Sequence, residues 1–123
     1  MSVRIWRELP VLLALVGCVT VDDFDTLEQE ILVPSCGFSS CHGTGTGDLT
    51  IATGETYDVL VGVPSSAEPD QVLVVPGDAE ASYLVAKLEG RAEVGDVMPP
   101  GGGGLDEESL DRIWAWIEAG AEP

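Results

Sequence analysis

Two cysteines and a histidine stand close together in Cys36-Gly37-Phe38-Ser39-Ser40-Cys41-His42. Thiols at this spacing, with an imidazole directly after the second, suit three kinds of chemistry. Two thiols followed at once by His form the attachment pattern of haem c: each sulfur bonds a vinyl group of the porphyrin edge, and the adjacent His reaches the iron. The usual spacer between the thiols is two residues; here it is four, which bulges the loop but leaves the Cys41-His42 step intact. The same thiols could instead close a six-residue disulfide loop with His42 incidental. A zinc site built on Cys36, Cys41 and His42 lacks an evident fourth soft ligand.

Counting the remaining donors sharpens the haem option. The chain has one His and two Met. Met1 belongs to the leading segment, so Met98 is the one thioether left to pair with His42 as the second axial ligand. His/Met ligation is typical of electron-transfer cytochromes. Met98 lies in Val97-Met98-Pro99-Pro100, where the prolines restrict the backbone and can brace the sulfur. A haem enzyme would need an open iron position and a distal acid–base group, and the chain holds no second His. For the same reason no Ser–His nucleophile arrangement is available. Gly101-Gly102-Gly103-Gly104 lacks the following Lys of a phosphate-binding loop and reads as a spacer.

The leading segment reads as a targeting signal. Arg4 and Arg7 precede an apolar run, Leu9 to Val16, that is too short to span a bilayer. It ends in Leu15-Val16-Gly17-Cys18, which resembles a bacterial lipobox: residues 1–17 are then a signal peptide, Cys18 is lipidated, and residues 18–23 are a tether. Such a chain faces the periplasm or the cell exterior, anchored in the cell envelope by lipid alone. There idle thiols do not persist, so Cys36 and Cys41 must be bonded to something.

The 123 residues amount to one domain. A net charge of −17 excludes nucleic acid as a partner, which needs clustered Lys and Arg. It suits an acidic surface that docks on basic proteins. Phe24, Leu27, Ile31 and Val33 mark a first helix that Pro34 is expected to stop. A short helix is expected over 56–61, a brief extended piece over Val72–Val75, a turn at Pro76-Gly77-Asp78, and a helix from Glu80 to Leu88 ending at Gly90. The last helix is best marked: Asp106 as N-cap, Leu105 and Leu110 as staple, Leu110, Ile113, Trp114 and Ile117 as apolar stripe, Gly120 as stop. No convincing strand pair is visible, so the expected class is all-α. Fifteen Gly and eight Pro imply long loops, which in so small a helical domain need something to wrap around.

The order of these features resembles a family. Ile31-Leu32-Val33-Pro34-Ser35-Cys36, Cys41-His42-Gly43, Gly47-Asp48-Leu49, Val75-Pro76-Gly77-Asp78, Ser82-Tyr83-Leu84, Lys87-Leu88, Met98-Pro99-Pro100 and Trp116-Ile117-Glu118-Ala119-Gly120-Ala121 together look like the planctomycete-type mono-haem cytochrome c domains found in bacterial lipoproteins. The resemblance covers about residues 24–121. It implies a class I-like cytochrome c fold with first and last helices crossing beside one covalent haem c, Phe24, Leu27, Trp114 and Ile117 serving as the crossing residues. It further implies a carrier of single electrons between redox partner proteins rather than an enzyme.

The lipobox reading has a direct test. Cys18→Ser is expected to release the protein from membranes or to leave its signal uncleaved, read by fractionation and by intact mass. Unchanged fractionation and mass would refute the anchor.

Overall fold

The computed structural model describes residues 20–44, 48–101 and 103–123. The expected signal segment 1–17 and the lipidation site Cys18 lie outside the described residues. The first helical segment, α1, is continuous but not uniform: an α-turn Phe24–Leu27, a π-helical stretch Glu28–Leu32, and an α-turn Val33–Cys36. Asp23 caps it, its carboxylate accepting from the Thr26 N–H at 2.8 Å, and that bond holds the Asp23 carboxyl below the usual range. Phe24, Leu27, Ile31 and Leu32 are buried.

Pro34 does not end this helix. In the widened stretch the Val33 N–H reaches back five residues to the Glu28 carbonyl. Pro34 then stands in the first turn of a fresh α-segment, where a missing N–H costs little. The helix therefore runs on to Cys36 and closes at Gly37, whose N–H donates to the Val33 carbonyl at 2.9 Å.

Helix α2 spans Thr56–Leu60, α3 Tyr83–Glu89 and α4 Glu107–Glu118. Among the described residues, β structure is confined to isolated bridges, Val61 with Val74, Pro64 with Val72 and Val75 with Asp78. The chain is all-α, as the sequence implied. The Val75–Asp78 turn is closed by Asp78 N–H to the Val75 carbonyl at 3.0 Å, with Gly77 at φ 81°, the left-handed corner of a Pro-Gly type II turn. Helix α3 begins three residues later than expected. Asp78 accepts from the Ala81 N–H, and the Ser82 hydroxyl donates to the Asp78 carbonyl, so residues 78–82 are held in local turns instead.

The first and last helices meet. Phe24 lies 5.1 Å from Trp116 and 5.2 Å from Tyr57, ring centre to ring centre. Phe24, Leu27 and Ile117 are buried as expected, but Trp116 takes the place foreseen for Trp114, which is only half-buried. The buried arc of α4 is Ile113, Trp116 and Ile117, and at about 100° per residue Leu110 and Trp114 fall on one flank of it. Arg112 adds ion pairs to Asp22 and Glu30, both at 2.6 Å, exposed enough to contribute little.

Glu28 is the unexpected core residue, 2% exposed. Its carboxylate accepts from the Gly54 N–H at 2.8 Å and the Thr56 N–H at 3.2 Å, tying the start of α2 to α1. Burial pushes its pKa up, but hydrogen bonds from Gly54, Thr56 and Glu55 outweigh burial and leave it below the ordinary glutamate value. A lowered folded pKa stabilises the fold at all pH above the unfolded glutamate range, and the gain is lost as pH falls through the folded value. Glu28→Gln is expected to cost roughly 1–3 kcal/mol at neutral pH and to flatten the acid limb of stability against pH. Denaturant melts at neutral and acid pH check it; parallel losses at both would show that the charge is immaterial.

Candidate functional site

Cys36 is the last residue of α1, so the run of helix through Pro34 sets where its thiol stands. The chain then doubles back on itself. The Phe38 carbonyl accepts from both the Cys41 and Gly43 N–H groups at 2.9 Å. The Thr44 hydroxyl donates to the Ser39 carbonyl at 2.9 Å. His42–Thr44 forms one 3-10 turn. The four-residue spacer is thus a folded hairpin of backbone bonds, with Phe38 exposed at its tip. Two glycines permit the close approach. A Cβ on Gly43 would run into the Gly37 and Phe38 carbonyls, and one on Gly37 into those of Val33 and Ile51.

His42 is fixed from both its backbone and its ring. Its carbonyl accepts from the N–H of buried Ile51 at 2.9 Å. Its Nδ1 lies 3.3 Å from the Leu49 carbonyl. A carbonyl only accepts, so Nδ1 carries the hydrogen, and in the neutral ring Nε2 carries the lone pair. A backbone carbonyl behind one nitrogen is the usual device for aiming the other at a metal.

Both Cys36 and Cys41 are free, half-buried thiols. Burial first, and the neighbouring Cys41 second, push the Cys36 pKa up to about 11. Cys36 therefore stays protonated at neutral pH, which makes it slow to oxidise or alkylate. Among the described residues no group of three or more His, Cys, Asp and Glu side chains could hold a metal ion, so the two thiols and His42 do not form a zinc-like cluster.

Met98 comes from a different part of the chain, the loop between α3 and α4. Its N–H donates to the Lys87 carbonyl at 3.0 Å. Its half-buried side chain packs against the core, as do those of Cys36 and Leu49. The structure thus gathers Cys36, Cys41 and His42 in one hairpin and brings Met98 to the margin of the same core. Two surface cavities, of about 640 and 230 Å³, lie elsewhere. The larger is lined by Asp22, Asp106, Glu107, Glu108, Asp111 and Arg112 among others, the smaller by Glu68, Glu80, Tyr83 and Arg91 among others.

Sequence reasoning missed two partners of the site. The Leu49 carbonyl carries no residue-type signal. Lys87 stood in a quoted motif without a role. A comparison with family models finds no match, and comparisons with curated proteins and with solved structures find none either.

The raised Cys36 pKa is checked on reduced protein by mass-resolved alkylation. Labelling of Cys36 is expected to be slow at neutral pH and to rise about tenfold per pH unit toward its pKa. A rate that levels off well below pH 10 would contradict the buried, protonated thiol.

Proposed function

We propose that this protein is an exported, lipid-anchored c-type cytochrome that carries single electrons between redox partner proteins in the cell envelope. The observation that carries the reading is the orientation of His42: Nδ1 is engaged by the Leu49 carbonyl, which aims the Nε2 lone pair, and the two free thiols of Cys36 and Cys41 precede it in the same turn. The donor set fits haem c: Cys36 and Cys41 would hold the porphyrin through thioether bonds, and His42 and Met98 would supply the ligands to the iron. Haem iron, when bound, supplies the one-electron couple.

The protein's own groups do the rest. Cys36 and Cys41 would hold the group through thioether bonds, each S–H adding across a vinyl double bond with the proton going to the neighbouring carbon, so that no oxidant would be consumed. His42 holds its ring by the Leu49 carbonyl. Half-buried apolar side chains, among them Leu49 and Met98, pack against the same core as Cys36. The contact of first and last helices through Phe24 and Trp116 agrees with the class I-like arrangement that the sequence resemblance implies. The net charge of −17 favours basic redox partners and speeds their encounter at low salt. Cys18 supplies the membrane attachment.

Protein made in a host that matures haem c is expected to keep its haem through denaturing electrophoresis, as a peroxidase-active band. Replacing Cys36 and Cys41 together should abolish the band. Met98→Ala should keep covalent haem, lose the weak sulfur–iron absorption at the red end of the oxidised spectrum, and lower the reduction potential. A mature protein with the bare polypeptide mass and a Cys36–Cys41 disulfide would refute the reading. An unchanged spectrum in Met98→Ala would leave Met98 as packing only.

A further inference from the structure

Lys87 is the only lysine in a chain with 22 acidic residues, yet it spends its ammonium on backbone. Nζ donates to the Val94 carbonyl at 3.0 Å and to the Asp96 carbonyl at 2.6 Å. Its own carbonyl accepts the Met98 N–H at 3.0 Å. The ion pairs among the described residues belong instead to Arg91 and Arg112. One residue on the last turn of α3 therefore grips the loop at 94, 96 and 98, three alternate positions leading to the methionine. The approach is close: a Cβ on Gly95 would lie 2.8 Å from Nζ. From the other side Gly104 backs the same loop, its Cβ position 3.6 Å from the Val97 side chain and 3.7 Å from the Met98 carbonyl. Charged donors on carbonyls are strong hydrogen bonds, and ordering a Gly-rich loop costs much entropy.

We propose that Lys87 is a positioning residue for Met98: by clamping the Val94 and Asp96 carbonyls it holds the loop so that the thioether stays at the iron and competing ligands stay out. The inference rests on the reading of Met98 as axial ligand. Lys87 acts through the loop, by its bonds to the backbone of Val94, Asp96 and Met98.

The test uses the full-length, haem-loaded protein in detergent and titrates the oxidised form with imidazole, following loss of the thioether–iron absorption. Imidazole must displace Met98, so its apparent affinity reports how firmly the loop holds the sulfur. Lys87→Met keeps the aliphatic bulk and removes both hydrogen bonds. It should raise imidazole affinity about tenfold or more, while Lys87→Arg, which retains donors, should stay near wild type. A purely structural role would lower the melting temperature without changing the affinity of the folded protein. If Lys87→Met does not accumulate, the single lysine allows another route: acetylating the folded, loaded wild-type protein modifies Lys87, confirmed by peptide mass, and should raise the affinity in the same direction. Equal affinities in wild type, Lys87→Met and acetylated protein would overturn the clamp while leaving Met98 as ligand. A loaded wild type with no thioether absorption would overturn the ligand reading, and the clamp with it.

Discussion

The contact between α1 and α4 is the constraint on which the remaining structure depends. Phe24 enters it from the first turn of one helix and Trp116 from the third turn of the other, with Tyr57 closing the group from α2. Rings at these separations add about 0.5–1.5 kcal/mol per pair beyond the area they bury. The polar edges of the cluster are also used: Trp116 Nε1 donates to the Glu122 carbonyl at 2.8 Å and the Tyr57 hydroxyl to the Ala121 carbonyl at 2.9 Å. The first and last of the described helices are thereby fixed together. The Val75–Asp78 turn hangs from the end of α4, with Gly77 N–H on the Ile117 carbonyl and Ala79 N–H on the Glu118 carboxylate, both at 2.8 Å.

Given that frame, the long loops are ordered by polar ties rather than by bulk. Glu28 holds residues 54 and 56 against α1, the Phe38 carbonyl folds the thiol hairpin, and Lys87 grips residues 94 and 96. Glu28 and Lys87 join loop backbone to helices, and the Phe38 carbonyl closes its turn on itself. A loop rich in glycine loses much entropy on ordering, so such ties decide whether donors such as His42 and Met98 keep one position.

The charge distribution follows the same economy. With five basic residues in the whole chain, Arg112 joins α1 and the residues before it to α4 through Asp22 and Glu30, and Arg91 joins Glu80 and Glu89 around α3. Apart from buried Glu28, most of the remaining acidic residues among those described are exposed, where mutual repulsion is screened by salt. From Leu32 to Gly54 the only formally charged residue is Asp48, so the thiol hairpin sits in an uncharged stretch of a strongly acidic protein.

The sequence by itself determined what is local. Asp23 and Asp106 as caps, Gly90 as a left-handed stop with φ 72°, the Pro-Gly turn and the helical class all follow from side chains acting within a few residues of themselves. The Cys36, Cys41 and His42 grouping was legible for the same reason. Tertiary structure decided what depends on distant partners. Pro34 was read as a stop because a proline forbids the ordinary helical bond; the π-turn before it, made where Phe24, Leu27 and Ile31 are drawn into the core, removes the need for that bond. Trp116 rather than Trp114 is buried because the arc of α4 is chosen by what α1 and α2 present to it. The burial of Glu28 becomes tolerable only when the backbone of residues 54–56, more than two dozen positions away, supplies the N–H groups that hold its charge.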